Sequence, residues 1–255
     1  MSTVRVACLS DTHTLLRKIR VPDAELLIVA GDFCAHGKRG EAHNFADWIH
    51  GLPHQHKVII AGNHDLCLQE DMGLGRRMFQ EANEHYLMDR EVTVLGLRIY
   101  GSPWQPAFHD WAFNLLRNGE ALRTVWGRIP ADLDILVTHG PPHGILDRNA
   151  EGECVGDEVL LAEVEKKAPR MHVFGHIHEG HGVTGWYGPT LFVNASICTR
   201  AYAPRNPVQV LDVPAGGLRA EDIRPWTARR SVLRCEHAFP TVPRPRHDRH
   251  HRGSL

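Results

Sequence analysis

Five short apolar runs in this chain each break off at a polar residue able to hold a metal ion. Val4 to Leu9 leads into Ser10-Asp11-Thr12-His13, Leu26 to Ala30 into Gly31-Asp32, and Val58 to Ala61 into Gly62-Asn63-His64-Asp65. Ile135 to Val137 leads into Thr138-His139-Gly140, and Met171 to Phe174 into Gly175-His176-Ile177-His178. Runs this short, bounded by glycine and polar residues, fit buried strands. Amphipathic stretches of helical period lie between several of them, at Gly40 to Ile49, Leu74 to Asn83, Leu115 to Val125 and Asp157 to Lys167. Alternating strand and helix predicts an α/β layered fold. Val92 to Leu95 and Arg98 to Tyr100, separated by Gly96 and Leu97, read as a hairpin. Thr190 to Asn194 and Val208 to Val213 read as strands near the end of the fold.

Composition narrows the function classes. Of 255 residues, 42% are hydrophobic and 23% charged, enough to build a core, and the net charge of −1 supplies no basic field for nucleic acid. No apolar run reaches the ~18 residues of a membrane span, and the N-terminus runs straight into a strand without a signal-peptide pattern. The six cysteines are spread without a CxxC pair and read as free thiols of a reducing compartment. A soluble cytoplasmic protein is the expectation. After Ile223 the sequence turns to Arg, Pro and His, so residues 1–222 read as the folded domain and 223–255 as a flexible tail.

In α/β sheets, ligands bind where the C-terminal ends of the strands open onto a crevice. If the five runs are neighbours, Asp11, His13, Asp32, Asn63, His64, His139, His176 and His178 converge. Two carboxylates, an amide oxygen and several imidazoles form a mixed oxygen and nitrogen set without thiolate. That set disfavours a structural zinc site and calcium, and suits Mn, Fe, Co, Ni or Zn. The ligands are too many for one ion and suit two, an arrangement that clamps the oxygens of an in-line displacement at phosphorus. His64 then remains as an acid, with Asp65 as a possible partner. Each block alone has an ordinary reading: a loop for DTH, a turn for GD and GNHD, a satisfied histidine at 139, a solvent-facing turn for GHIH. Order and placement carry the argument. Trp104, Phe108 and Trp111 offer a stacking surface for a base, although such a spacing more often fills core. His181 reads as a bystander.

The ordered blocks DTH, GD, GNHD, H and GHIH resemble the calcineurin-like metallophosphoesterase superfamily over roughly residues 3 to 200. "SDTH", "GSPWQPAFHDWAFNL", "THGPPHGILD" and "VFGHIHEGHG" are similar to its metallophosphoesterase-domain-containing subfamily, whose animal members are known from brain. The resemblance implies a four-layer α/β/β/α sandwich with a dinuclear metal centre at the strand C-terminal ends. It implies Asp11, His13, Asp32 and His178 for one metal, and Asp32, Asn63, His139 and His176 for the other. Manganese stands first among the ions, ahead of Fe, Zn, Co or Ni. A hydroxide between the metals is the implied nucleophile, with His64 protonating the leaving group. The implied substrates are small phosphodiesters, cyclic nucleotides among them. The alternatives are a phosphomonoesterase or nuclease on the same site, or a purine-nucleotide-binding regulatory protein with residual activity. The last would suit a damaged motif; one animal member carries Gly where this chain has His176.

Overall fold

The computed structural model describes residues 2–81, 83–183, 187–215 and 222–225. The chain opens with β1 (Thr3–Leu9), β2 (Leu26–Ala30), α1 (Arg39–His50), β3 (His56–Ile60), α2 (Leu66–Glu70), α3 (Leu74–Met78) and β4 (Glu84–Tyr86). It continues through β5 (Arg90–Val94), β6 (Leu97–Ser102), the two-residue strands β7 (Gln105–Pro106) and β8 (Asn114–Leu115), α4 (Glu120–Gly127) and β9 (Ile135–Thr138). It closes with α5 (Glu158–Lys167), β10 (Met171–Phe174), β11 (Gly182–Val183), β12 (Leu191–Asn194), β13 (Gln209–Pro214) and β14 (Arg224–Pro225).

Two six-stranded sheets result, in the orders β14-β13-β1-β2-β3-β4 and β11-β12-β10-β9-β6-β5. β1 to β4 run parallel in the first, and β6, β9, β10 and β12 run parallel in the second. Parallel strands are covered on both faces, which is why LLIVA and ILVT are apolar without alternation. One face of each sheet meets the other across a shared core containing Val6, Ile28, Val58, Ile99, Val137 and Val173. The outer face of the first sheet packs Leu27, Val29 and Ile59 against Phe45 and Ile49 of α1. The outer face of the second packs Leu136 and Phe174 against Trp126 of α4 and Leu160 of α5. The layers are therefore helix, sheet, sheet, helix, the four-layer α/β/β/α sandwich.

The helices differ from the expected spans where tertiary packing overrides period. The stretch from Leu74 to Asn83 is helical only to Met78. Phe79 leaves helical geometry and buries its ring beside Phe33, Phe45 and Tyr86. Leu115 lies in β8 and Leu116 is exposed, so the third helix starts only at Glu120. α5 starts as the pattern suggests, because the Asp157 carboxylate accepts from the Val159 and Leu160 N–H groups. The hairpin turn is Leu95-Gly96, one residue earlier than expected. Both residues have positive φ, at 51° and 79°, as a two-residue turn of this hand requires. β14 pairs with β13 inside the stretch assigned to the tail; the remainder of that stretch lies outside the described residues. Cys8, Cys34, Cys67 and Cys198 are free and buried, but Cys154 is disulfide-bonded, contrary to the expectation of free thiols throughout. Among the described residues, no helix is long and apolar enough to cross a membrane.

Candidate metal centre

The C-terminal ends of β1, β2 and β3 meet those of β9 and β10 where the two sheets touch. A backbone stitch fixes the junction: Ser10 N–H donates to Ala195 C=O at 2.9 Å and Ile197 N–H to Ser10 C=O at 3.0 Å. Around this seam, ligand atoms of Asp11, His13 and His178 lie within 4.8 Å of one another, and so do those of Asp32, His139 and His176. Asp32 sits between the groups, its Oδ2 4.0 Å from His13 Nε2 and 3.4 Å from His139 Nε2. The Asn63 amide oxygen lies 2.8 Å from both His139 Nε2 and His176 Nδ1. All seven residues expected to hold metal are thus gathered at one seam. His181 joins neither group and pairs with Gln209 at 2.8 Å.

The imidazole orientations bear on whether these residues fit metal. His13 Nδ1–H donates to Cys34 C=O at 3.2 Å, and His178 Nδ1–H donates to Thr199 C=O at 3.1 Å. Each ring therefore turns Nε2 inward, and the two Nε2 atoms face each other at 3.3 Å. Two nitrogens at that distance share a cation: a proton on His178 Nε2, which also lies 3.5 Å from Asp11 Oδ1, or a metal ion in its place. His139 repeats the pattern: its Nδ1–H donates to Ala30 C=O at 2.9 Å, turning Nε2 toward the oxygens of Asn63 and Asp32. Backbone carbonyls that fix the tautomer from behind are a common support for metal-ligating histidines. The donor set therefore fits two divalent ions.

Electrostatics agree. Burial opposes charge on Asp11, but the hydrogen bond and charge of His178, with His139 and His13, hold its carboxyl far below the usual range. Burial likewise opposes charge on Asp32, and His139 outweighs it. Burial disfavours the His139 imidazolium, yet Asp32 drives its pKa up to about 9. His176 is pushed down to about 3, by burial first and then by His139. Without metal, the carboxylates borrow positive charge from neighbouring imidazoles.

Local backbone explains the motif letters. A Cβ on Gly62 would collide with Asp32 Oδ1, and one on Gly175 would collide with Asp11 Oδ2. Asp11, His13, Asp32 and His176 all adopt the left-handed region, with φ of 58°, 42°, 54° and 67°. That conformation is unfavourable for side-chain-bearing residues and clusters at functional sites.

His64 and Asp65 separate in role. The His64 N–H donates to Asp32 Oδ1 at 2.7 Å, its Nδ1–H donates to Ala35 C=O at 2.8 Å, and its ring stacks on Trp111 with centroids 4.1 Å apart. Asp65 is not its partner. The Asp65 carboxylate turns back to accept from the N–H groups of Asp32, Cys34 and Gly62 at 3.0, 2.8 and 2.7 Å. It ties the GD and GNHD loops together from beneath. The aromatic stretch divides three ways. Trp104 packs on Phe113 and donates to Asp89, Trp111 backs His64, and Phe108 is exposed. Sequence reasoning missed Ser196, whose hydroxyl donates to Asp11 Oδ2 at 2.7 Å, and Tyr202, whose ring lies edge-on to His13. No sequence signal marks either one; only the turn after β12 brings them in.

A cleft of about 440 Å³ opens over the cluster, lined by His13, Asp32, Asn63, His64, His176 and His178, with Phe108, Arg117, Arg200 and Tyr202 farther out. Residues 4–180 match the model of the calcineurin-like phosphoesterase family. The chain is 44% identical over 233 residues to human metallophosphoesterase domain-containing protein 1, covering 82% of this chain and 71% of that protein. It is 37% identical to the UPF0046 protein C25E10.12 of Caenorhabditis elegans, covering 83% of this chain and 81% of that one. A solved crystal structure shares the fold with a TM-score of 0.64 at 14% identity, over 88% of this chain and 98% of its own.

Proposed function

We propose, for a chain that belongs to the calcineurin-like phosphoesterase family, that it hydrolyses small phosphodiesters with the help of two divalent ions. One observation carries the reading: inward-turned imidazole nitrogens and carboxylate oxygens converge from two sides on Asp32. Asp11, His13, Asp32 and His178 would hold one ion, and Asp32, Asn63, His139 and His176 the other. Manganese is the leading choice, with iron, zinc, cobalt and nickel suited to the same donors. Such ions activate water and offset negative charge on a phosphoryl group.

The chain's own groups supply the rest. His64 keeps its Nδ1–H on the Ala35 carbonyl, so Nε2 is the atom that can carry a proton to the leaving oxygen. Trp111 holds the ring from behind, and its segment is anchored where Ala112 N–H donates to Asn63 C=O at 3.0 Å. The engagement of Arg117 favours a diester. Arg117 is spent on Val155 C=O, Gly156 C=O and Glu158, and Arg200 pairs with Glu151. Arg117, with three partners of its own, is not left to clamp the second negative charge of a monoester. Nucleotide-derived diesters, cyclic ones included, belong to the proposed range.

Hydrolysis of bis-p-nitrophenyl phosphate and p-nitrophenyl phosphate, with Mn²⁺ and after chelation, tests this. The diester should turn over faster, and chelation should abolish both activities. Metal analysis should find two ions per chain, and one in His176→Gly. Activity that survives exhaustive chelation would end the metal reading; a faster monoester would end the diester one.

A further inference from the structure

Among the described residues, four large apolar side chains are strongly exposed: Met72, Phe108, Leu116 and Tyr202. Two of them, Phe108 and Tyr202, line the cleft, and they stand on opposite sides of the candidate metal pair. The Phe108 ring lies edge-on to His176, with centroids 5.9 Å apart. The Tyr202 ring lies edge-on to His13 and His178, at 4.8 and 5.2 Å. Each of the two residues is half exposed, at 51%, although the cleft floor beside it is buried. Apolar surface left open inside a polar cleft marks a place for a ligand.

Tyr202 is held there at a cost. Its φ is 52°, a conformation that a bulky residue rarely adopts. A tight turn imposes it: Tyr202 N–H donates to Thr199 C=O at 2.8 Å and Thr199 N–H to Ala203 C=O at 2.9 Å. The same Thr199 carbonyl accepts the His178 Nδ1–H at 3.1 Å, so the turn that aims the tyrosine also orients a candidate ligand. Nothing in the core uses the ring. Backbone strain that presents an exposed aromatic beside a reactive centre is the pattern expected of a ligand contact.

We propose that Tyr202 and Phe108 are the specificity-determining residues of the cleft, forming aromatic seats that select phosphodiesters whose ester arm carries a flat ring such as a nucleobase. This rests on the phosphodiesterase reading above. With phosphorus over Asp32, an arm extending to either side meets one of the two rings. Stacking on an aromatic side chain is sequence-tolerant, because every base has a π-face. The seats therefore predict preference for a base over none, with weak discrimination among bases.

Equilibrium binding in Mn²⁺ buffer tests the seats separately from turnover. Thymidine 5′-monophosphate and 2-deoxyribose 5-phosphate share sugar and phosphate and differ only in the base. Calorimetry should show the nucleotide binding roughly tenfold tighter or more. Tyr202→Ala and Phe108→Ala should each narrow that ratio, the double variant should bring it near one, and Tyr202→Phe should preserve it. Tyr202→Leu, which keeps bulk without a ring, should narrow it as alanine does. Metal content measured in parallel should stay at the wild-type value. A wild-type ratio near one, or a ratio indifferent to these substitutions, overturns the proposal. Turnover of ethyl p-nitrophenyl phosphate by wild-type protein tests the phosphodiesterase reading, because it is diester hydrolysis whether or not the nitrophenyl ring uses a seat. Its absence would reject that reading, and the proposal as a statement about substrates with it.

Discussion

At the scale of single residues, His64 and Asp65 are neighbours in sequence with opposite tasks. Asp65 accepts from three buried N–H groups, those of Asp32, Cys34 and Gly62. Removing the carboxylate leaves those donors unpaired at roughly 1–3 kcal/mol each. Asp65→Ala should therefore cost at least about 3 kcal/mol in a urea titration. His64→Ala should stay within about 1 kcal/mol of wild type, keep two ions, and lose ~10²–10⁴ in turnover. Loss of metal from His64→Ala would make His64 a ligand instead, and an unmoved urea midpoint in Asp65→Ala would remove the anchoring role. Residue type and spacing identify both as important. They do not reveal that one carboxylate points down into the backbone, because that depends on three loops meeting.

At the scale of elements, β9 and β10 are coupled by a buried chain. His172 on β10 donates from Nε2 to Thr138 Oγ1 at 2.8 Å, and the Thr138 hydroxyl donates to Gly140 C=O at 2.7 Å. His172 Nδ1 is buried without a hydrogen-bond partner. Burial pushes the His172 pKa down to about 3, against about 6.5 in an unfolded chain. The unfolded state thus binds the extra proton first. The stability tied to neutral His172 is complete above about pH 6.5 and declines as pH falls toward 3, by about 2 kcal/mol at pH 5. His172→Gln keeps a donor for Thr138 and cannot titrate, so its stability should fall less steeply between pH 6.5 and 4.5. Equal slopes for the two proteins would remove this account. The five strand ends were legible in the sequence because apolar runs and polar breaks are both local. The helix ends were less so. Phe79 leaves α3 for the packing of Phe33, Phe45 and Tyr86, a reward visible only in three dimensions.

At the scale of the molecule, the two sheets are joined at the end where buried carboxylates and imidazoles crowd together and backbones are strained. The fold without metal carries two buried carboxylates whose charge only imidazoles offset, and four left-handed ligand-bearing residues. An ion that binds only the folded state adds about 2.7 kcal/mol at a hundred times its dissociation constant. Mn²⁺ at that level should raise Tm by roughly 5–10 °C for a chain of this size, and chelation should reverse it. No shift in scanning calorimetry would mean that the site does not take the ion. The same backbone strain sets the direction in which this protein would decay under neutral drift. At φ 67°, glycine in place of His176 relaxes the chain while deleting a donor, so loss of chemistry there makes the empty fold easier to form. Only continued selection on activity keeps a side chain at such a position, and an inactive descendant needs no compensating change to stay folded.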